Sequence, residues 1–238
     1  MKRVFHLLFC VCFLASFSFS ANATWSIIVI DPVTKEIGIA GASCTPNVYG
    51  IGGIIPGKGA VIVQAMSNKL AQMKGLQMIM TDANPDDILK AMLDPMYDPE
   101  EQQYAIISMS YIDKPVTYTG SKTTTYNGAL VAKGISVQGN TLSDSEELQV
   151  ILNAALKAQK DSLSISEILM KALEAGSVAG GDKRCGAQKA TSAFIIVAKS
   201  GDQVSSPYLN LVVKGIPKGE ENAVEELRKK YDAWRQKN

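Results

Sequence analysis

Thr24 stands directly behind Ala21-Asn22-Ala23, a small-x-small pattern of the kind that signal peptidase cuts behind. Lys2 and Arg3 are positive, and Val4 to Phe19 is mostly apolar, so Met1–Ala23 reads as a secretory signal peptide. The apolar run is shorter than the roughly 20 residues an uncleaved anchor needs. Phe9 and Val11, which precede Cys10 and Cys12, are too large for a lipoprotein cleavage site. The exported chain is therefore expected to begin at Thr24, carrying a hydroxyl and a free α-amine on one residue. An unperturbed α-amine has a pKa of about 7.7–8.0 and can take a hydroxyl proton near neutral pH. That pairing is an activated nucleophile with its own base. The plainer reading is a threonine that merely starts a strand.

The rest of the composition narrows the alternatives. The single histidine is His6, so a chain starting at Thr24 has none. It cannot run a Ser-His-Asp or Cys-His arrangement, nor build a histidine-containing catalytic zinc site. A nucleophile here must use a lysine, a carboxylate or the α-amine as base. Cys44 and Cys185 are the cysteines left after cleavage; an oxidising compartment and an even count favour one disulfide over two separate buried thiols. Removing Lys2 and Arg3 leaves 24 − 2 = 22 basic residues against 23 acids, which gives no reason to expect nucleic acid or an anionic membrane as partner. No second apolar stretch is long enough to span a bilayer.

Two motifs resolve into ordinary structure. Gly52–Gly59 nearly matches a phosphate-binding loop, but Gly59 replaces the magnesium-holding hydroxyl and a strand, not a helix, follows. Asp86, Asp87 and Asp94 lack calcium-loop spacing. Glu146-Glu147 suits a helix N-terminus. No metal site and no cofactor is expected.

These residues must be held by a regular frame. Thr24–Ile30, Glu36–Ser43 and Ala60–Met66 read as strands, with a Gly-rich passage before the third. Helices are expected over Lys69–Met80 and from Pro85, with Asn84 as N-cap. Gln103–Tyr111 and Pro115–Thr119 read as a strand pair, and Ala129–Gln138 as one further strand. Helices return at Ser143–Gln159 and Ser164–Ala175, ended by Gly176 and the Gly180-Gly181-Asp182 loop; Ser164 and Glu167 have capping-box spacing. Thr191–Lys199 and Tyr208–Lys214 close the strands, and Glu220–Gln236 is a charged helix. Long apolar strands with helices arriving in pairs imply an α+β fold of sheets covered by helical layers, in a single domain over 24–216, with the charged helix at 217–238.

Several short stretches, in order, carry a resemblance. Thr24-Trp25-Ser26-Ile27-Ile28-Val29, Asp31-Pro32 and Glu36-Ile37-Gly38-Ile39-Ala40 resemble the opening of a bacterial domain-of-unknown-function family, number 1028. Gln64-Ala65, Val137-Gln138-Gly139-Asn140 and Ala179-Gly180-Gly181-Asp182-Lys183-Arg184 resemble its later motifs. The family is grouped with the N-terminal nucleophile hydrolases, which implies a four-layer αββα sandwich and Thr24 as nucleophile. In that frame Asn140 is the candidate oxyanion donor, Asp182 the holder or orienter of the α-amine, and Arg184 a bidentate site for a substrate carboxylate. Ser26 and Ser43 lie on strands from which they can join the same network. Asp182 and Arg184 read equally well as a loop ion pair, and Asn140 as a turn residue. The chain departs from the family at Tyr126-Asn127-Gly128, where Trp-Ala-Gly is usual, and at Cys185, where glycine is usual, so pocket shape differs. The expectation is an exported amidohydrolase or peptidase for a small-molecule or peptide substrate. The rival is an exported binding module for a peptide or cell-wall fragment.

Overall fold

The computed structural model describes residues 24–238; the expected signal peptide, Met1–Ala23, lies outside the described residues. The fold is a mixed α+β domain with two antiparallel sheets. The six-stranded sheet is built from β1 (Thr24–Ile30), β2 (Ile37–Ser43), β7 (Gly128–Ala132), β8 (Ile135–Asn140), β9 (Ser192–Ala198) and β10 (Leu209–Val213). Its spatial order is β10-β9-β2-β1-β8-β7, which puts β1 in the interior of the sheet. The four-stranded sheet, in order, is β3 (Gly52–Ile55), β4 (Gly59–Ala65), β5 (Gln102–Ser108) and β6 (Val116–Thr119). The helices are α1 (Lys69–Met80), α2 (Pro85–Met92), α3 (Glu147–Lys160), α4 (Ile165–Ala179) and α5 (Ala223–Arg235).

Period-two alternation sorts the side chains into separate cores. Trp25, Ile27 and Val29 of β1 face α3 and α4 and join Leu152, Leu169 and Leu173 in the largest cluster, to which α5 adds Val224 and Leu227. Ile28 and Ile30 face the other way, into a core between the sheets with Ile39, Ile62 and Ile107. A third cluster lies between the four-stranded sheet and α1 and α2, around Val61, Val63, Ile79 and Ile88. Every strand of β1, β2, β4, β5 and β8 is buried along its whole length. That double-sided burial is why they read as continuous apolar runs.

Local chemistry sets the ends. Asn68, Asn84, Ser164 and Asn222 each accept backbone N–H groups at the start of α1, α2, α4 and α5. The near phosphate-binding loop is the expected turn between strands, a β3–β4 hairpin with the Lys58 amide donating to the Ile55 carbonyl. Two expectations change. The segment expected as one strand over Ala129–Gln138 is instead the hairpin of β7 and β8, broken at Gly134, whose φ of 69° suits the turn. α4 runs through Gly176 and stops only at Gly180. Gly176 is there for clearance: a Cβ would sit 2.6 Å from Trp25 Nε1.

Candidate functional site

Strand register brings the sequence candidates together. Thr24 pairs with Asn140 of β8 on one side and Ser43 of β2 on the other, and Ser43 pairs in turn with Ser192 of β9. One residue-row across four strands is thus polar, and all four residues are buried. The next inward-facing row holds Gln138 and Ser26, and beyond it come Ile28 and Ile39. The space between the sheets is polar at the end where β1 begins and apolar at the other.

A directed chain of hydrogen bonds fills the polar end. Ser136 Oγ donates to Gln138 Oε1 (2.7 Å), Gln138 Nε2 to Ser26 Oγ (2.7 Å), and Ser26 Oγ to Gln64 Oε1 (2.6 Å). Gln64 Nε2 donates to Gln103 Oε1 at 2.6 Å and approaches the Thr24 carbonyl at 3.5 Å. Gln103 Nε2 faces Thr119 Oγ1 and the carbonyls of Gly128 and Gly139, at 2.9–3.0 Å. Asn140 Nδ2 donates to Gln103 Oε1 at 3.3 Å. Buried amides satisfied in this way hold one arrangement firmly. The strands leave this end through strained backbone: Ala65, after Gln64, has φ 69°, and Thr141, after Asn140, has φ 52°. Non-glycine residues in the left-handed region cost free energy and gather at functional sites.

The Gly-Gly-Asp-Lys-Arg segment closes over the same end. Asp182 is fully buried. Its Oδ2 accepts from the Cys44 amide (2.6 Å) and Arg184 Nη2 (2.7 Å), and its Oδ1 from the Arg184 amide (3.0 Å) and Nε (3.1 Å). The loop ion pair anticipated for these two residues is formed, and Asp182 also ties the loop to the end of β2. The Cys44–Cys185 disulfide fastens the same two segments. Ser43 Oγ accepts from Thr45 Oγ1 at 3.2 Å. Trp25, fully buried behind Thr24, donates from Nε1 to the Leu173 carbonyl and anchors the start of β1 on α4.

Several residues here escaped sequence reading. Gln103, Ser136, Gln138 and Ser192 belong to the network or its row, and of these the sequence singles out Gln138 alone, within the Val137-Gln138-Gly139-Asn140 motif. The available signal was polar residues on alternate positions of Ser136-Val137-Gln138-Gly139-Asn140, which puts three on one face. Glu147, expected as a helix-start residue, is buried completely. Among the described residues no group of three or more His, Cys, Asp or Glu could hold a metal ion, and no helix is long and apolar enough to cross a membrane.

A family of unknown function, DUF1028, matches residues 24–227. The chain belongs to this family. Its match starts at Thr24 and takes in every residue of the polar row and the Gly-Gly-Asp-Lys-Arg segment. Among solved structures, protein SPO2555 from Silicibacter pomeroyi, of the same family, is similar at 22% identity, covering 89% of this chain and 88% of that one with a TM-score of 0.75. That likeness establishes a shared DUF1028 fold. No curated protein matches. The Cys44–Cys185 disulfide is compatible with an exported protein.

Proposed function

We propose that this DUF1028 chain is an exported N-terminal nucleophile hydrolase on a four-layer αββα sandwich, cleaving an amide or peptide bond. Cleavage behind Ala23 frees the Thr24 amine. Thr24 Oγ then attacks the carbonyl carbon and its α-amine takes the hydroxyl proton; the same amine returns a proton to the leaving nitrogen, and water releases the acyl group. The observation that carries this reading is the register of Thr24 between Asn140 and Ser43 at the polar end of the inter-sheet space. An amide nitrogen has two hydrogens; one of those on Asn140 Nδ2 serves Gln103, and the second is assigned to the developing oxyanion. Arg184, held by Asp182 at the mouth of the row, is assigned to a substrate carboxylate.

A second reading, a binding module without turnover, draws support from Asp182. Both its oxygens are engaged by Cys44 and Arg184, an arrangement that serves loop architecture.

The test compares secreted chains starting at Thr24 against a panel of amide substrates. Thr24→Ala is expected to lose turnover by at least about 10²–10⁴-fold with its fold intact, and Thr24→Ser to retain part of it. One extra residue before Thr24 turns the base into an amide and is expected to abolish turnover. An extended chain as fast as the parent overturns the α-amine as base. Equal ligand binding by all forms, without hydrolysis, establishes the binding module instead.

A further inference from the structure

Glu147 is the most unusual titratable group in the molecule. It opens α3, is buried completely, and neither side-chain oxygen has a hydrogen-bond partner. It lies beneath the turn that follows α4: a Cβ on Gly180 would stand 3.5 Å from Glu147 Oε2. The nearby amides of Ser143 and Gly181 favour a negative charge, but less than burial disfavours it; each donates to a carbonyl, Ser143 to that of Gly181 and Gly181 to that of Gly176. Ser143 Oγ is likewise turned to the Gly180 and Gly181 carbonyls. The charged groups that bear on Glu147 are Asp182, from the turn, and Asp144, from the loop before α3. Both are acids, and no described lysine or arginine forms an ion pair with Glu147.

We infer that Glu147 is a positioning residue: as a neutral acid it lets the Gly180-Gly181-Asp182 turn pack on α3, and its ionisation loosens that turn and with it Asp182 and Arg184. The step is loss of one proton from the Glu147 carboxyl to solvent. The carboxylate has no buried partner, so it gains solvation only if the turn lifts. Lys183 is exposed but its amide is tied to the Thr141 carbonyl, and Arg184 is half-buried and fastened through Asp182 and the Cys185 bridge, so a lifted turn frees the backbone at Lys183 and Arg184 for a protease. This inference concerns the conformation of the loop and holds whether or not Thr24 attacks a substrate.

Burial pushes the Glu147 carboxyl up to about 8, from the ordinary 4.5. Between those values the folded chain holds a proton that the unfolded chain has released. Stability therefore falls as pH rises from about 4.5 and levels off above about 8. The molecule makes the effect easy to read. Its single histidine is His6, and both described cysteines are bridged, so among described side chains no imidazole or thiol titrates in that range. Trp25 packs where a Cβ on Gly181 would lie 3.2 Å from its ring, and Trp234→Phe leaves it as the one indole.

The experiment follows Trp25 emission and the initial rate of tryptic cleavage at Lys183 and Arg184, from pH 6 to 9.5. It uses the Trp234→Phe chain with and without Glu147→Gln. A free α-amine titrates in both chains, so their difference belongs to Glu147. The expected result is a transition near pH 8 in the first chain, with cleavage about tenfold faster at pH 9.5 relative to the Gln variant, and a flat profile in the second. A transition that persists in the Gln variant, or none in either, overturns the inference. Should the variant not fold, carbon-13 titration of glutamate carboxyls in the unaltered chain decides: one carboxyl titrating above pH 7 supports the inference, and none above pH 6 overturns it.

Discussion

Between its two sheets the protein buries two unlike fillings. At one end Ile28, Ile39, Ile62 and Ile107 pack by contact alone. At the other, Ser26, Gln64, Gln103 and Gln138 are joined by directed hydrogen bonds. The apolar end tolerates changes that conserve volume, since dispersion and burial have no direction. The polar end is sensitive to direction rather than volume, because each amide must present its donor to an acceptor. The tolerant end supplies stability, whereas the intolerant end holds one arrangement at the start of β1.

The sharpest test exchanges nearly isosteric side chains at both ends. Gln103→Glu replaces the Nε2 donor, which faces three oxygens, with a further acceptor. It is expected to cost about 4 kcal/mol or more, as lost hydrogen bonds and a buried charge, read from the denaturant midpoint. Ile62→Val, one methylene smaller, is expected to cost only about 1 kcal/mol. If the Gln103 variant proves the milder of the two, the contrast between the ends is wrong. Next in size is the covalent tie. Replacing Cys44 and Cys185 together by serine is expected to lower stability by about 2–4 kcal/mol, with the loss confined to variants that break the bridge. Alkylation of the folded, unreduced protein checks it, since two labelled cysteines would remove the bridge from the account. The smallest effect is at the tail of the chain of bonds. Ser136→Ala removes the first donor and leaves Gln138 still bound to Ser26, at about 1 kcal/mol. A loss as large as that of Gln103→Glu would show that the network has no dispensable member.

Much of the frame was legible because burial on both faces writes itself as apolar runs: Thr24–Ile30 and Lys69–Met80 were read with the bounds they have. Capping chemistry at Asn84 and Ser164 was equally visible, since a side-chain acceptor before a helix is a local signal. The β7–β8 hairpin was missed because Ala132-Lys133-Gly134-Ile135 carries only one turn residue between two apolar stretches. Of the candidate site, Thr24, Ser43 and Asn140 are brought into one row, but Asn140 reaches Thr24 by pairing across more than a hundred residues, which no local pattern specifies. Gln103 sat at a strand start where a polar residue is ordinary. The burial of Glu147 depends on how α4 delivers Gly180 and Gly181, and nothing near Glu147 in sequence announces that.

The place of β1 also shapes how the chain must fold. Its pairing with β2 is local and available as soon as Ser43 has been made. Its other edge, which receives β8, stays bare until Ile135–Asn140 has followed. The hydrogen-bonding groups of an apolar strand are open to other chains throughout that interval, and the distant pairing makes closure slow. The strand that places Thr24 is thus begun among the first and completed among the last, and the hazard it carries on the way is self-association.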